Sequence, residues 1–187
     1  MQTAFYFDQT RCTGCGACQV ACKDWHDLPA GPVNWMRIEE IERGKFPDPY
    51  VGYLAAPCYH CARPVCVEAC PAEAISKRPL DGIVVVDPRA CLGNIECDEK
   101  CLKACPYDVP QFGPQKGAKM SKCNFCLDRW RADRLPACVE ACPTRALDAG
   151  PIESIVAKYG PLQAAEGFSY SKRTEPAVYF KPKLSGV

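Results

Sequence analysis

Apolar residues fall in short bursts along this chain rather than in long periodic runs. AFYFD (residues 4–8) and GIVVVD (82–87) each read as a strand, and each leads into a loop rich in cysteine. Three of the cysteine loops end in Cys-Pro (Pro71, Pro106, Pro143). A fixed φ and no N–H suit proline to the first turn of the short helix expected there. GPIESIVAKYG (150–160) reads as a helix started by Pro151 and stopped by Gly160. LDRWRADRLPA (127–137) is charged, with Trp130 between Arg129 and Arg131. It reads either as a helical surface loop or as a docking element, since Trp and Arg are enriched at interface centres. The final stretch, AVYFKPKLSGV (177–187), looks extended and is expected to lie on a partner or on the rest of the chain.

No run approaches the roughly 20 apolar residues needed to span a bilayer. The opening MQTAFYFDQTRC lacks the basic and long apolar regions of a signal peptide, so the expectation is a soluble chain. At 187 residues it has room for one domain or two small ones sharing a core. A net charge of +1 and a pI near 7.4 favour neither nucleic-acid binding nor an acidic soluble carrier.

Cysteine changes the picture: there are 16. A disulfide scaffold, zinc sites and iron–sulfur clusters compete to explain them. Disulfides account for neither the repeated spacings nor the N-terminus. Zinc takes paired C-x2-C units and does not need the third and fourth cysteines that follow closely here. Motif I is Cys12-x2-Cys15-x2-Cys18-x3-Cys22, and motif II is Cys58-x2-Cys61-x4-Cys66-x3-Cys70-Pro. Motif III is Cys91-x5-Cys97-x3-Cys101-x3-Cys105-Pro, and motif IV is Cys123-x2-Cys126-x11-Cys138-x3-Cys142-Pro. Together they use every cysteine. A [4Fe–4S] cube wants one thiolate per iron, and a short loop can wrap three corners. In bacterial ferredoxins the fourth cysteine ligates the other cluster. VCVEACPAEAI (65–75) and ACVEACPTRAL (137–147) are near-repeats. Strand, cysteine loop and short helix, repeated, is the organisation of a duplicated two-cluster ferredoxin.

Motif III admits two registers. In one, Asn94 replaces a ligand and Cys105 is orphaned. In the other, the Cys101-x3-Cys105-Pro ending matches motifs II and IV, and the first loop has grown by three residues. Elastic loops elsewhere favour the second; a [3Fe–4S] centre or a substitute ligand such as Asp98 is the alternative. Cations crowd the motifs: Lys23, Arg63, Lys77, Arg78, Arg89, Lys100, Lys103, Lys119 and Lys122. Positive charge near a cluster favours its reduced form; most of these are expected to be solvated, with Lys122 and Arg89, beside ligands, the better candidates. His60, inside CYHC, is expected to hydrogen-bond or pack near a cluster rather than ligate, because Rieske-type ligation needs two histidines on one iron and only His26 is left.

The motif I run ending CKD, GIVVVD, ACPYDVPQF and KMSKCNFCLDR…PACVEACPTRALDAGP, in this order, resemble the four-cluster iron–sulfur subunits of the DMSO-reductase family of molybdenum or tungsten oxidoreductases. The similarity runs from about Tyr6 to about Gly160 and departs at motif III, where the family has C-x2-C-x2-C-x3-C-P. The resemblance implies an α+β fold of two interleaved bacterial-ferredoxin-like modules. Residues 1–40 with 118–150 would carry motifs I and IV, residues 48–117 motifs II and III, and residues 151–187 a C-terminal helix and tail.

It implies four [4Fe–4S] clusters. The ligand sets would be Cys12, Cys15, Cys18 and Cys142; Cys123, Cys126, Cys138 and Cys22; Cys58, Cys61, Cys66 and Cys105; and Cys91, Cys97, Cys101 and Cys70. It also implies an electron-transfer subunit with no substrate chemistry of its own. The partners would be a large molybdopterin (Mo or W) catalytic subunit and a membrane anchor or soluble electron carrier. A free polyferredoxin is the alternative. Thiolate clusters need a reducing assembly site, so assembly in the cytosol is expected, with the final compartment open.

Overall fold

The computed structural model describes residues 1–184; the last three residues of the expected extended tail, 185–187, lie outside the described residues. In chain order the elements are β1 (Thr3–Asp8), α1 (Ala17–Trp25), β2 (Ile38–Arg43), β3 (Tyr50–Ala55), α2 (Val65–Glu68), β4 (Ile75–Lys77) and β5 (Val84–Val86). There follow α3 (Lys100–Ala104), α4 (Leu127–Trp130), α5 (Ala137–Glu140), β6 (Leu147–Pro151), α6 (Ile152–Tyr159) and β7 (Val178–Lys181). Helices and strands are mixed, and the helices that follow cysteine loops are short.

β1 is the centre of a three-stranded sheet, antiparallel to β6 and parallel to β7. All six of its residues are buried. Side chains alternate across a strand: Phe5 and Phe7 join Phe125, Phe180 and several cysteines in the main core, while Tyr6 stacks on Tyr159 of α6 with ring centroids 3.7 Å apart. A strand covered on both faces has no polar side to show, which is why AFYFD lacks alternation. Each of these buried phenylalanines contributes about 1.5–3 kcal/mol of burial.

β7 lies within the stretch expected to be extended, and it sits on the protein itself, beside β1. Fully buried Gln9 ties this C-terminal region down further. Its Nε2 donates to the carbonyls of Tyr53 (2.9 Å) and Glu166 (3.0 Å), and its Oε1 accepts from the Glu166 N–H (3.0 Å). α6 falls where the sequence predicts it, followed by Gly160 at φ 87°. β5 realises GIVVVD and pairs antiparallel with β4.

The β2–β3 hairpin is an element with no sequence-based expectation behind it. β2 reads IEEIER; its two isoleucines stand three apart and the charged residues between face solvent, so no period-2 signal exists. The hairpin closes over the motif I loop. At Gly14 (φ +69°) an added Cβ would lie 2.4 Å from the Tyr53 ring, so both backbone shape and space demand glycine there.

Candidate metal centres

Twelve of the cysteines ring three spaces of similar size. Cys12, Cys15, Cys18 and Cys142 line one of about 310 Å³. Cys58, Cys61, Cys66 and Cys105 line one of about 380 Å³, and Cys70, Cys91, Cys97 and Cys101 one of about 330 Å³. Each set takes three cysteines from one motif and the fourth from another, motif I with IV and motif II with III. Cys22, Cys123, Cys126 and Cys138 remain, all buried. They are mutual neighbours: after burial, the repulsion of Cys22 by Cys126, and of Cys138 by Cys123, Cys126 and Cys22, pushes these thiols upward.

Local geometry explains how the loops deliver the sulfurs. α1 starts at Ala17 behind left-handed Gly16 (φ 73°), and Cys18 and Cys22 lie on it four residues apart, both buried. They nevertheless serve different quartets. The helices α2 and α5 carry Cys66 and Cys138, and the helical turn then places Cys70 and Cys142 into the partner quartet. In motif III, Cys97 is buried and lines the cavity with Cys91 and Cys101. Asn94 is occupied elsewhere, its Oδ1 accepting the Gly117 N–H at 2.9 Å. Asp98 is exposed and pairs with Lys103. Gly93 allows the two loops to touch; a Cβ there would meet the Gly117 carbonyl at 2.7 Å.

Burial pushes the thiols of Cys18, Cys22, Cys61, Cys66 and Cys101 up to about 12, so without iron they stay neutral. Cys142 moves the other way. Burial acts to raise it, but hydrogen bonds from the Thr144 hydroxyl and the N–H groups of Ala146 and Leu147 outweigh that. The Ala146 N–H lies 3.2 Å from its sulfur. Among the described residues no group of three or more His, Cys, Asp or Glu converges tightly enough for a single metal ion. Sets of four cysteines drawn from paired motifs match the one thiolate per iron, with the fourth from the partner motif, of a [4Fe–4S] cube.

The surrounding cations divide sharply. Lys122 is buried, lines the Cys58 quartet, and donates from Nζ to the carbonyls of Val84 and, at 3.0 Å, Cys123. Lys77 donates to the Cys61 carbonyl (2.7 Å) and Lys119 to that of Cys91 (2.6 Å). One lysine therefore pins the backbone of a cysteine in each of motifs II, III and IV. Arg89 corrects the expectation drawn from its place beside Cys91. Its side chain is 93% exposed and faces Asp87, because it sits in a turn that directs it outward. His60 is buried with Nε2 3.9 Å from Cys123 Sγ, and His26, not singled out in the sequence, has Nε2 3.2 Å from Cys126 Sγ.

The 127–137 segment is a surface loop with a short helix; Arg131 is exposed, while two of its other side chains make internal contacts. Trp130 packs edge-on against Phe125, while buried Arg129 pairs with Glu140 and lies 4.4 Å over the Trp25 ring.

Paired cysteine quartets that exchange their fourth member define a ferredoxin-type dicluster protein. Residues 11–74 and residues 50–152 each match a family described as a 4Fe-4S dicluster domain. The protein is 40% identical over 198 residues to the B subunit of the anaerobic dimethyl sulfoxide reductase of Haemophilus influenzae, with 99% of the present sequence and 93% of that subunit covered. The corresponding subunit in Escherichia coli is 41% identical over 192 residues (98% and 90% covered), and protein NrfC of the same species 35% over 181 (96% and 78%). The present protein belongs to this family of iron–sulfur electron-transfer subunits, and it carries four [4Fe–4S] clusters.

Proposed function

We propose that this chain relays electrons through its four clusters between a molybdopterin or tungstopterin catalytic subunit and a membrane anchor or other redox partner, with no substrate-converting site of its own. The observation that carries this reading is the three cavities, each ringed by four cysteines drawn from two motifs. On that basis the ligand sets are Cys12, Cys15, Cys18 and Cys142; Cys22, Cys123, Cys126 and Cys138; Cys58, Cys61, Cys66 and Cys105; and Cys70, Cys91, Cys97 and Cys101. Two interleaved modules follow, residues 1–40 with 118–150 and residues 48–117, the segment after 150 serving as a brace.

The order of the relay is supported by neighbouring charges. Cys138 feels Cys18 of the first quartet, and Cys123 feels Cys58. Val84 lines the Cys58 quartet and Val86 the Cys70 quartet, a two-residue step of about 6.7 Å along β5. The path is Cys12 quartet, Cys22 quartet, Cys58 quartet, Cys70 quartet. Exposed Cys15 marks the first as a surface port. What the protein's own residues do is hold the cubes apart, exclude water and set each potential through hydrogen bonds and nearby charge. No helix among the described residues is long and apolar enough to cross a membrane.

Native purification tests the reading. The protein should come out with a large molybdenum- or tungsten-containing polypeptide. Recovery of a stable chain alone, with no such partner under gentle conditions, would sink the proposal and leave a free polyferredoxin.

A further inference from the structure

Both histidines of the sequence end on the same cysteine quartet. We propose that His26 and His60 are positioning residues that donate N–H···S hydrogen bonds to the cluster held by Cys22, Cys123, Cys126 and Cys138, and that they raise its reduction potential. The inference rests on reading that quartet as a cluster site, as proposed for the relay.

His26 closes α1, and its Nε2 lies 3.2 Å from Cys126 Sγ. The ring packs against Trp35, centroids 4.6 Å apart, which fixes its aim. A sulfur bound to iron has no proton, so the hydrogen in this contact belongs to the imidazole. His60 is 1% exposed, and its tautomer is set by the backbone. The Val84 N–H donates to Nδ1 at 3.0 Å, so that nitrogen is the acceptor and the hydrogen sits on Nε2. Nε2 faces Cys123 Sγ at 3.9 Å, the long end of such a bond. The ring cannot drift, being packed against Phe125 with centroids 5.5 Å apart.

The two sulfurs thereby collect a second donor each. Cys123 also accepts from the Phe125 N–H (3.4 Å) and Cys126 from the Ala137 N–H (3.4 Å). All four cysteines of this quartet are buried, unlike those of the other three sets, each of which has at least one partly or fully exposed member. Burial disfavours the extra negative charge of a reduced cluster, and no solvent is at hand to compensate. Donors aimed at sulfur are the protein's means of restoring that charge state. The sequence has two histidines, and both are placed at this most enclosed quartet.

The test is potentiometric EPR titration of the full chain, alone or in its native complex, for His26→Phe, His60→Phe and the double variant. The midpoint of one cluster should fall in each single variant and further in the double, with the other three unmoved and iron unchanged at about sixteen per chain. His60→Gln, whose amide can accept from Val84 and donate to sulfur, should recover most of the shift. Unmoved midpoints in all three variants overturn the proposal. Should the variants lose the cluster, pulsed EPR of the reduced wild-type protein with ¹⁵N-labelled histidine decides. Histidine nitrogen coupling on one cluster supports the bonds, and its absence overturns them. Wild-type protein with only three cubes would instead refute the quartet itself.

Discussion

Replacing Cys97 and Asn94 in turn separates the two registers of motif III. Cys97 lines the cavity with Cys70, Cys91 and Cys101, so Cys97→Ser withdraws one thiolate of four. Iron should drop from about sixteen atoms per chain to about fifteen if the cube becomes [3Fe–4S], or to about twelve if it is lost. Asn94→Ala removes the amide's hydrogen bond with the Gly117 N–H (2.9 Å) and a weaker one to the Gln115 carbonyl (3.4 Å), but keeps the backbone bond to Ala118 (3.0 Å). That costs about 1 kcal/mol, which for a protein of this size lowers the melting temperature by about 2–4 °C. Iron and acid-labile sulfide analysis, EPR of the reduced and oxidised protein, and a melting curve together read the outcome. If Asn94→Ala loses the centre while Cys97→Ser keeps four intact cubes, the geometry has been misread and Asn94 is the ligand.

Three further outcomes are expected. Lys122→Met, which deletes a buried cation beside the Cys58 quartet, should lower the midpoint of that cluster and leave the Cys12 cluster unmoved, as redox titration can check. Gly14→Ala forces a side chain into left-handed backbone and onto Tyr53. It should cost roughly 2–4 kcal/mol in denaturant melts, partly recovered by adding Tyr53→Leu. Asp148 would be raised by burial, but hydrogen bonds from Lys158 (2.9 Å) and Tyr159 (2.7 Å) hold it below the usual carboxylate range. Its contribution is therefore full above the unfolded value near 4 and fades as pH falls through the lower folded value. Asp148→Asn should cost about 1–2 kcal/mol at neutral pH, discounted for the exposed Lys158, with the gap to wild type closing below about pH 4.

What could be read in the sequence is what chemistry repeats. Cysteine spacing yields the four motifs, and AFYFD, GIVVVD and the Pro151 to Gly160 helix stand where expected. The Cys-Pro endings do not open helices: Pro71, Pro106 and Pro143 lie in turns just after the short helices α2, α3 and α5, because the helical residues lie around the third cysteine and stop short of the fourth. The hairpin at 38–55 escaped because Glu39, Glu40, Glu42 and Arg43 are exposed on both faces of β2 and its apolar residues have no period of two. β7 escaped in a different way. Nothing local in VYFK says that it will run parallel to a strand some 170 residues earlier, since that pairing is decided by the open edge of β1. His26 gave no signal because its role depends on where α1 ends relative to motif IV, a hundred residues away. Arg89 and Arg129 mislead in opposite senses: adjacency to a ligand does not aim a side chain, and a charged insertion can turn its arginine inward.

The exchanged fourth cysteine has a consequence for biosynthesis. Cys142 joins Cys12, Cys15 and Cys18 around one space, so the first quartet to leave the ribosome cannot close until about 130 further residues have been made. At roughly 5–20 residues per second that is a wait of about 6–26 s, during which three thiols stand ready for oxidants or the wrong metal. On the proposed ligand sets, this quartet cannot be filled until Cys142 has been made, and a truncated or stalled polypeptide ending before residue 138 would leave both clusters of the proposed module incomplete together.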